Sequence, residues 1–336
     1  MTSREIEPRT FTASAPAKVN LHLGVSNVID SGYHELITVF QAIDRREVVR
    51  LVVEPDEEPT RAESVVTGIT TRWLYDDDLP ENIDTPDNLA WRAVDLAVNS
   101  FRNGCNHTAG VTHPALPKVR IEVDKSVFVA GGMAGGSADA AAALLAANHY
   151  IEHYFGEPYA PDHFTSSSAP VLGADVPFAV LGGNAVGKGR GDSLRPLPGG
   201  GTFWWVFVNP ATTISTKLAF AKLDQLRAND PDLTPNMDVV PVSDALILGD
   251  PHALAKALHN DLELPARLMR PQLGELLEFG NAEALRAIVS GSGPTVALLC
   301  ESEEHARKVR ARVSEVFPRY TSFAASGPAH GTQMLP

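Results

Sequence analysis

Cysteine is nearly absent from this chain: 336 residues carry two, Cys105 and Cys300. They lie far apart, which excludes a disulfide framework and any metal-type cysteine spacing, and the expectation is a reducing, cytoplasmic setting. Long apolar runs are also missing, and nothing nears the ~20 residues of a membrane span. The first ten residues are charged, contain Pro8 and lack an apolar signal region, so export is not expected. Excess positive charge is lacking too. The formal net charge is −13, which argues against nucleic acid or a membrane surface as a partner. It does not exclude a small anionic ligand, because a local nest of N–H groups can overcome the global field.

The common nucleotide and nucleophile signatures are absent as well. The nearest approach to a P-loop, Gly182 to Lys188, is followed by Gly189 where Ser or Thr would bind magnesium, and no helical pattern follows. The glycines near Gly131 lack G-x-G-x-x-G spacing, and no segment fits the G-x-S-x-G elbow.

What is present is Val129-Ala130-Gly131-Gly132-Met133-Ala134-Gly135-Gly136-Ser137, followed at once by an alanine-rich run from Ala138 to Ala147. Glycine lets the backbone bend and approach a ligand with no Cβ in the way. The alanine run is made of strong helix formers. A glycine loop opening onto a helix N-terminus aims free N–H groups and the positive end of the helix dipole at an anion. The first expectation is therefore a phosphate site, with a ligand-free strand-to-helix turn as the plain alternative.

The length suggests about two domains with a core that needs no disulfides. Strand alternation runs through Phe11–Ala15 and Lys18–Val25, with Val19, Leu21, Leu23 and Val25 on one face and Lys18, Asn20 and His22 on the other. Further strands are expected at Val48–Val53, near Val65, at Val119–Val123, at Phe203–Val208 (buried on both faces) and at Val296–Cys300. Helices are expected at Asn88–Phe101, after Pro161, at Lys217–Arg227, Ser243–Leu248, His252–Leu262, Ala282–Ile288 and Glu303–Val316. The segments 102–117 and 187–201 read as loops, and Gly327–Pro336 as a frayed tail. Strands and helices mix without a βαβ rhythm, which indicates an α+β protein of two lobes.

Three separated segments complete the sequence picture: Pro16-Ala17-Lys18-Val19-Asn20-Leu21, the glycine loop at 129–142, and Val289-Ser290-Gly291-Ser292-Gly293-Pro294-Thr295. In order and spacing they resemble the three motifs of the GHMP kinase superfamily. Gly32-Tyr33-His34-Glu35-Leu36, Gly173-Ala174-Asp175-Val176-Pro177, Ile214 to Phe220 and Asn260-Asp261-Leu262-Glu263 sharpen the likeness, which spans about residues 12–328. They resemble the branch that phosphorylates the 2-hydroxyl of a cytidine-diphosphate-linked methylerythritol.

The resemblance implies a two-lobed GHMP kinase fold with nucleotide and substrate in the cleft between lobes. It implies an N-terminal domain over 1–190, a C-terminal domain over 191–328 and a tail over 329–336. It implies ATP as co-substrate with Mg2+, for which no metal ligand is assigned. Lys18 and Asp175 match the catalytic pair, with Asp175 as proton acceptor; a turn cap and a solvated strand lysine are the plain alternatives. Gly132, Gly135, Gly136 and Ser137 match the phosphate-binding loop, and Asn88 matches an adenine contact or simply caps its helix. Tyr33, His34 and Phe220 match the cytosine pocket, and Asn20 and Thr216 match polar substrate contacts. For Phe220 the alternative is helix core alongside Leu218 and Leu223. Asp139 is expected to complement the helix dipole, and Lys188 or Arg190 to close over phosphate or remain solvated. The competing readings are a GHMP kinase for another small alcohol and a non-catalytic nucleotide-binding protein on the same fold.

Overall fold

The computed structural model describes residues 9–29, 32–75, 82–106, 114–156 and 168–336. Two antiparallel strands, β1 (Thr10–Val28) and β2 (His34–Val53), form its spine, with register shifts at Pro16/Ala17, Asn20/His22 and Val25/Val28. The expected Val48–Val53 strand is thus only the end of β2. Next to β2 lies β4 (Val119–Lys125), and β3 (Val66–Trp73) runs parallel to β4.

Two helices cover one face of this sheet: α1 (Leu89–Asn106) and α2 (Gly135–Phe155). From Ala138 to Ala147 α2 is buried except at Leu145, because a helix that is apolar all round has no face to give to water. Its alanines let it pack close to the sheet, where Ala140, Ala143 and Ala147 join Leu51 and Ile121 in one core.

The second sheet is four-stranded, in the order β11-β7-β10-β9. Its members are β7 (Phe203–Asn209), β9 (Arg286–Val289), β10 (Val296–Cys300) and β11 (Thr321–Gly327), all paired antiparallel. As expected, β7 is covered on both faces. Phe203, Trp205 and Phe207 enter a core shared with Val19, Leu21 and Ile43 of the first sheet, while Val206 and Val208 enter a separate core with Leu273, Leu276 and Val309. Each such side chain contributes about 1.5–3 kcal/mol on burial, and the shared core holds the two lobes together. The second core is closed by α9 (Gln272–Glu283) and α10 (Glu303–Val316), and α5 (Thr216–Asn229) and α8 (Glu263–Met269) pack beside it.

The structure corrects several expectations. Residues 184–197 form a hairpin, β5 (Asn184–Gly189) with β6 (Ser193–Leu197), that extends the first sheet through β2. Its turn is short, and the ladder of β2 supplies the partner that local composition hides. The expected helix Ala282–Ile288 is the end of α9 followed by β9; Ala287, Ile288 and Val289 are drawn into the sheet by β10. The expected helix His252–Leu262 stops early, as α7 (Pro251–Ala257), and His259–Asn260 then pair with β1 as β8. Another helix, α6 (Val240–Leu248), starts earlier than expected.

The helix α1 runs on through Cys105, placed by sequence in a loop, and residues 107–113 of that expected insertion lie outside the described residues. So do 157–167, where a helix was expected to start; among the described residues that follow, α3 (Ala169–Leu172) ends before Gly173 and α4 (Val176–Leu181) comes next. The C-terminal tail is not frayed: β12 (Gln333–Leu335) pairs with Thr12–Ser14, and Arg46 donates to the carbonyls of His330 and Gly331. No helix among the described residues is long and apolar enough to cross a membrane.

Candidate active site

A cavity of about 300 Å3 opens where the two lobes meet. Its walls come from all three motifs, from the turn before α4, from the β5–β6 turn and from the start of α5.

The polar face of β1 supplies Lys18 and Asn20. Lys18 is 5% exposed, and its Nζ donates to Asn20 Oδ1 (2.7 Å) and to the Gly132 carbonyl (3.0 Å). Asn20 Nδ2 in turn donates to Thr38 Oγ1 (2.9 Å), which donates to the His22 carbonyl (2.7 Å). This chain of bonds fixes the lysine against the loop. Lys18 Nζ also stands 3.8 Å from Asp175 Oδ2. Asp175 precedes α4 but makes no side-chain capping bond. The turn-cap alternative therefore does not describe it: its carboxylate, one-third exposed, turns into the cavity toward Lys18.

The glycine loop rests on the third motif. A Cβ on Gly132 would stand 2.3 Å from the Ser290 carbonyl, and one on Gly131 would crowd Phe128 and Thr295. Gly132 also takes φ +77°, which L side chains rarely adopt. Ala134 adopts φ 59° at the cap of α2, a left-handed conformation that costs an alanine roughly 1–2 kcal/mol. It makes no side-chain cap. The first-turn N–H groups at Gly135, Gly136 and Ser137 therefore have no capping side chain, the condition for anion binding. Ser137, Ala134 and Gly132 line the cavity, as do Gly291 and Ser292 of the adjoining third motif.

At the other end, Phe220 and Thr216 of α5 line the cavity. Leu218 is exposed, Leu223 is buried and Phe220 is partly buried, so α5 does not turn all three inward. Thr216 Oγ1 and Ser292 Oγ are 2.9 Å apart. His34 packs on Phe220 with ring centroids 5.2 Å apart, and its Nδ1 and Nε2 lie 2.8 Å from the Ser26 carbonyl and 3.3 Å from Asp224 Oδ2. Tyr33 is 72% exposed and does not line the cavity.

Two expected contacts fall elsewhere. Asn88 Oδ1 accepts from the Ala90 N–H (2.8 Å) and its Nδ2 donates to the Ile83 carbonyl (2.9 Å), so it caps α1 and does not line the cavity. Lys188 is exposed on β5, away from the cavity. Arg190 does line it, from the β5–β6 turn, held by Asp192 at 2.8 Å.

Sequence reasoning missed one charged cluster. Asp139 does not face solvent at the helix end: its Oδ2 is 2.5 Å from Lys125 Nζ, which is also 2.9 Å from Glu47 Oε1. Burial pushes the Glu47 carboxyl up to about 7 against the pull of Lys125. Burial likewise raises Asp139, while for Lys125 the two carboxylates outweigh burial and hold its pKa above the ordinary value. The signal was present, since an aspartate inside an otherwise apolar helix needs a buried partner. Nothing local says which one.

Comparison with known proteins agrees with this geometry. Residues 88–183 match the GHMP kinases N terminal domain and residues 242–319 match GHMP kinases C terminal. The chain is 40% identical to 4-diphosphocytidyl-2-C-methyl-D-erythritol kinase of Corynebacterium diphtheriae, over 96% of its own length and 97% of that protein. It is 43% identical to the enzyme of that name from Corynebacterium efficiens, over 89% of its length and 88% of the relative. A crystal structure of 4-(cytidine 5'-diphospho)-2C-methyl-D-erythritol kinase superposes with TM-score 0.66 at 28% identity, covering 94% of this chain and 99% of that one. A homoserine kinase from Cytophaga hutchinsonii, at TM-score 0.62 and 19% identity over 100% of this chain and 99% of its own, shares the fold. The chain therefore belongs to the GHMP kinases and, within them, to the 4-diphosphocytidyl-2-C-methyl-D-erythritol kinase family.

Proposed function

We propose that this protein transfers the γ-phosphoryl group of ATP to the 2-hydroxyl of 4-diphosphocytidyl-2-C-methyl-D-erythritol, giving the 2-phosphate and ADP. The step belongs to non-mevalonate isoprenoid precursor biosynthesis, and we place it in the cytoplasm. The observation that carries the reading is the Lys18–Asp175 pair at 3.8 Å, facing the cavity beside the glycine loop.

An alcohol attacks a phosphoryl group only when it is aligned, its charge build-up is neutralised and its proton has somewhere to go. Asp175 accepts the proton of the 2-hydroxyl. Lys18 faces that carboxylate and stabilises negative charge on the transferring group. The first turn of α2 receives the phosphates through Gly135, Gly136 and Ser137, and Gly132 lets the loop approach. Asn20 and Thr216 orient the substrate. Phe220 stacks on the cytosine, with His34 packed against it as a support and Tyr33 exposed at the rim. We assign Asn88 to its cap and not to the adenine.

Among the described residues lining the cavity, the charged groups are Lys18, Asp175 and Arg190. Asp139 is spoken for by Lys125. A magnesium ion would therefore be held mainly by ATP oxygens and water, with the Ser137 hydroxyl as one oxygen donor of the cavity wall beside the loop, and it would neutralise phosphate charge.

The experiment is ADP release with Mg2+ and ATP, comparing the cytidylyl substrate with homoserine and mevalonate. Turnover with the cytidylyl substrate alone is expected. Turnover only with another alcohol would retain the kinase and discard the base pocket, and ATP binding without turnover on any alcohol would contradict the reading altogether.

A further inference from the structure

Outside the cavity lies a buried charge cluster, Glu47–Lys125–Asp139, whose side chains are 0%, 3% and 3% exposed. Buried ions seldom stabilise a fold more than apolar groups of the same shape. What these three hold in place is therefore the informative question.

Lys125 is the last residue of β4 and Asp139 lies in the first turns of α2. Their 2.5 Å contact ties together the two ends of the glycine loop. Glu47, on β2, accepts the Ser126 N–H (2.7 Å) and the Val127 N–H (3.2 Å), which anchors the first residues of the loop to the sheet. Ser126 Oγ adds a bond to the Arg46 carbonyl at 2.6 Å. Gly135 lies directly over the cluster: a Cβ there would stand 3.1 Å from both Glu47 Oε1 and Lys125 Nζ. None of the three charged residues lines the cavity, so they act on it only through the backbone they hold.

We infer that Lys125, with Glu47 and Asp139, is a positioning clamp for the nucleotide loop: it sets the distance between the loop's start and the first turn of α2, and thereby where the N–H groups of Gly135, Gly136 and Ser137 meet phosphate. This rests on the nucleotide reading of that loop. Opposite charge suits the task because both ends of the loop must reach one point without admitting water. Glycine at 135 suits it because the backbone must lie on the charged group itself.

The clamp acts on ATP and not on the acceptor, so the test separates the two Michaelis constants. Replacing Lys125 alone would strand two carboxylates, so the triple variant E47Q/K125M/D139N removes all charge at near-constant shape. With the fold verified by circular dichroism and thermal melting, KM for ATP is expected to rise by about tenfold or more. KM for the cytidylyl substrate, and kcat at saturating ATP, are expected to stay within roughly threefold. A folded triple variant with wild-type KM for ATP would overturn the inference. If the triple variant fails to fold, Asp139→Asn decides: a severalfold rise in KM for ATP at an unchanged melting temperature supports the clamp, and an unchanged KM overturns it. Failure of the underlying nucleotide reading looks different, because the wild-type protein itself would then show no ATP turnover.

Discussion

Two lysines in this protein each face carboxylate, and they are built for opposite tasks. Lys125 is locked between Glu47 and Asp139 at 2.9 and 2.5 Å, with all three groups buried. Lys18 stands 3.8 Å from Asp175, whose side chain is one-third exposed to the cavity. The first cluster is closed and has no access to a ligand. The second is loose on the side where a substrate would enter and tight on the other, where Asn20 and the Gly132 carbonyl hold the lysine. A closed cluster between strand, strand and helix fixes backbone; an open pair leaves a carboxylate facing the cavity.

The sharpest way to break this comparison is to remove each cation. Lys18→Met should lower kcat by about 10³ while the melting temperature moves only a few degrees, because catalysis and not packing is lost. Lys125→Met should do the reverse in kind: two buried carboxylates lose their counter-ion, costing about 3–5 kcal/mol of stability in denaturant unfolding.

The closed cluster also predicts a pH dependence of stability. Glu47, raised from 4.5 to about 7, is protonated in the fold but ionised in the unfolded chain between those values. Folding takes up a proton across that window. This group's contribution is therefore full below pH ~4.5 and declines as pH rises to ~7, by at most about 3 kcal/mol. Glu47→Gln should remove that decline in unfolding measured at pH 5 and pH 7.5; an identical slope in the variant would refute the assignment. The smallest effect concerns the far end of the cavity. Phe220→Ala should raise KM for the cytidylyl substrate by about tenfold, the worth of one stacked base, with KM for ATP unchanged.

The two clusters also differ in how far they could be read from sequence. Lys18 and Asp175 lie in short local motifs, and strand alternation alone puts Lys18 and Asn20 on one face of β1. The loop and its helix were legible because glycine followed by alanine is a local pattern. Lys125, Glu47 and Asp139 come from β4, β2 and α2, so only the pairing of those elements brings them together. The same limit explains the errors in the fold. The hairpin at 184–197 exists because β2 offers it a ladder, β9 is a strand because β10 does, and the tail is ordered because β1 has a free edge. Asn88 shows the opposite case: its capping role was readable from sequence, and its geometry is fully accounted for by that cap.

The most direct measurement is the single-turnover rate of Asp175→Asn with ATP and the cytidylyl substrate both bound, alongside its affinity for each. The amide keeps the shape and cannot take the proton. The expected result is near-normal binding of both ligands with transfer slowed by about 10²–10⁴. Transfer at the wild-type rate with both ligands bound would contradict the role of the Lys18–Asp175 pair.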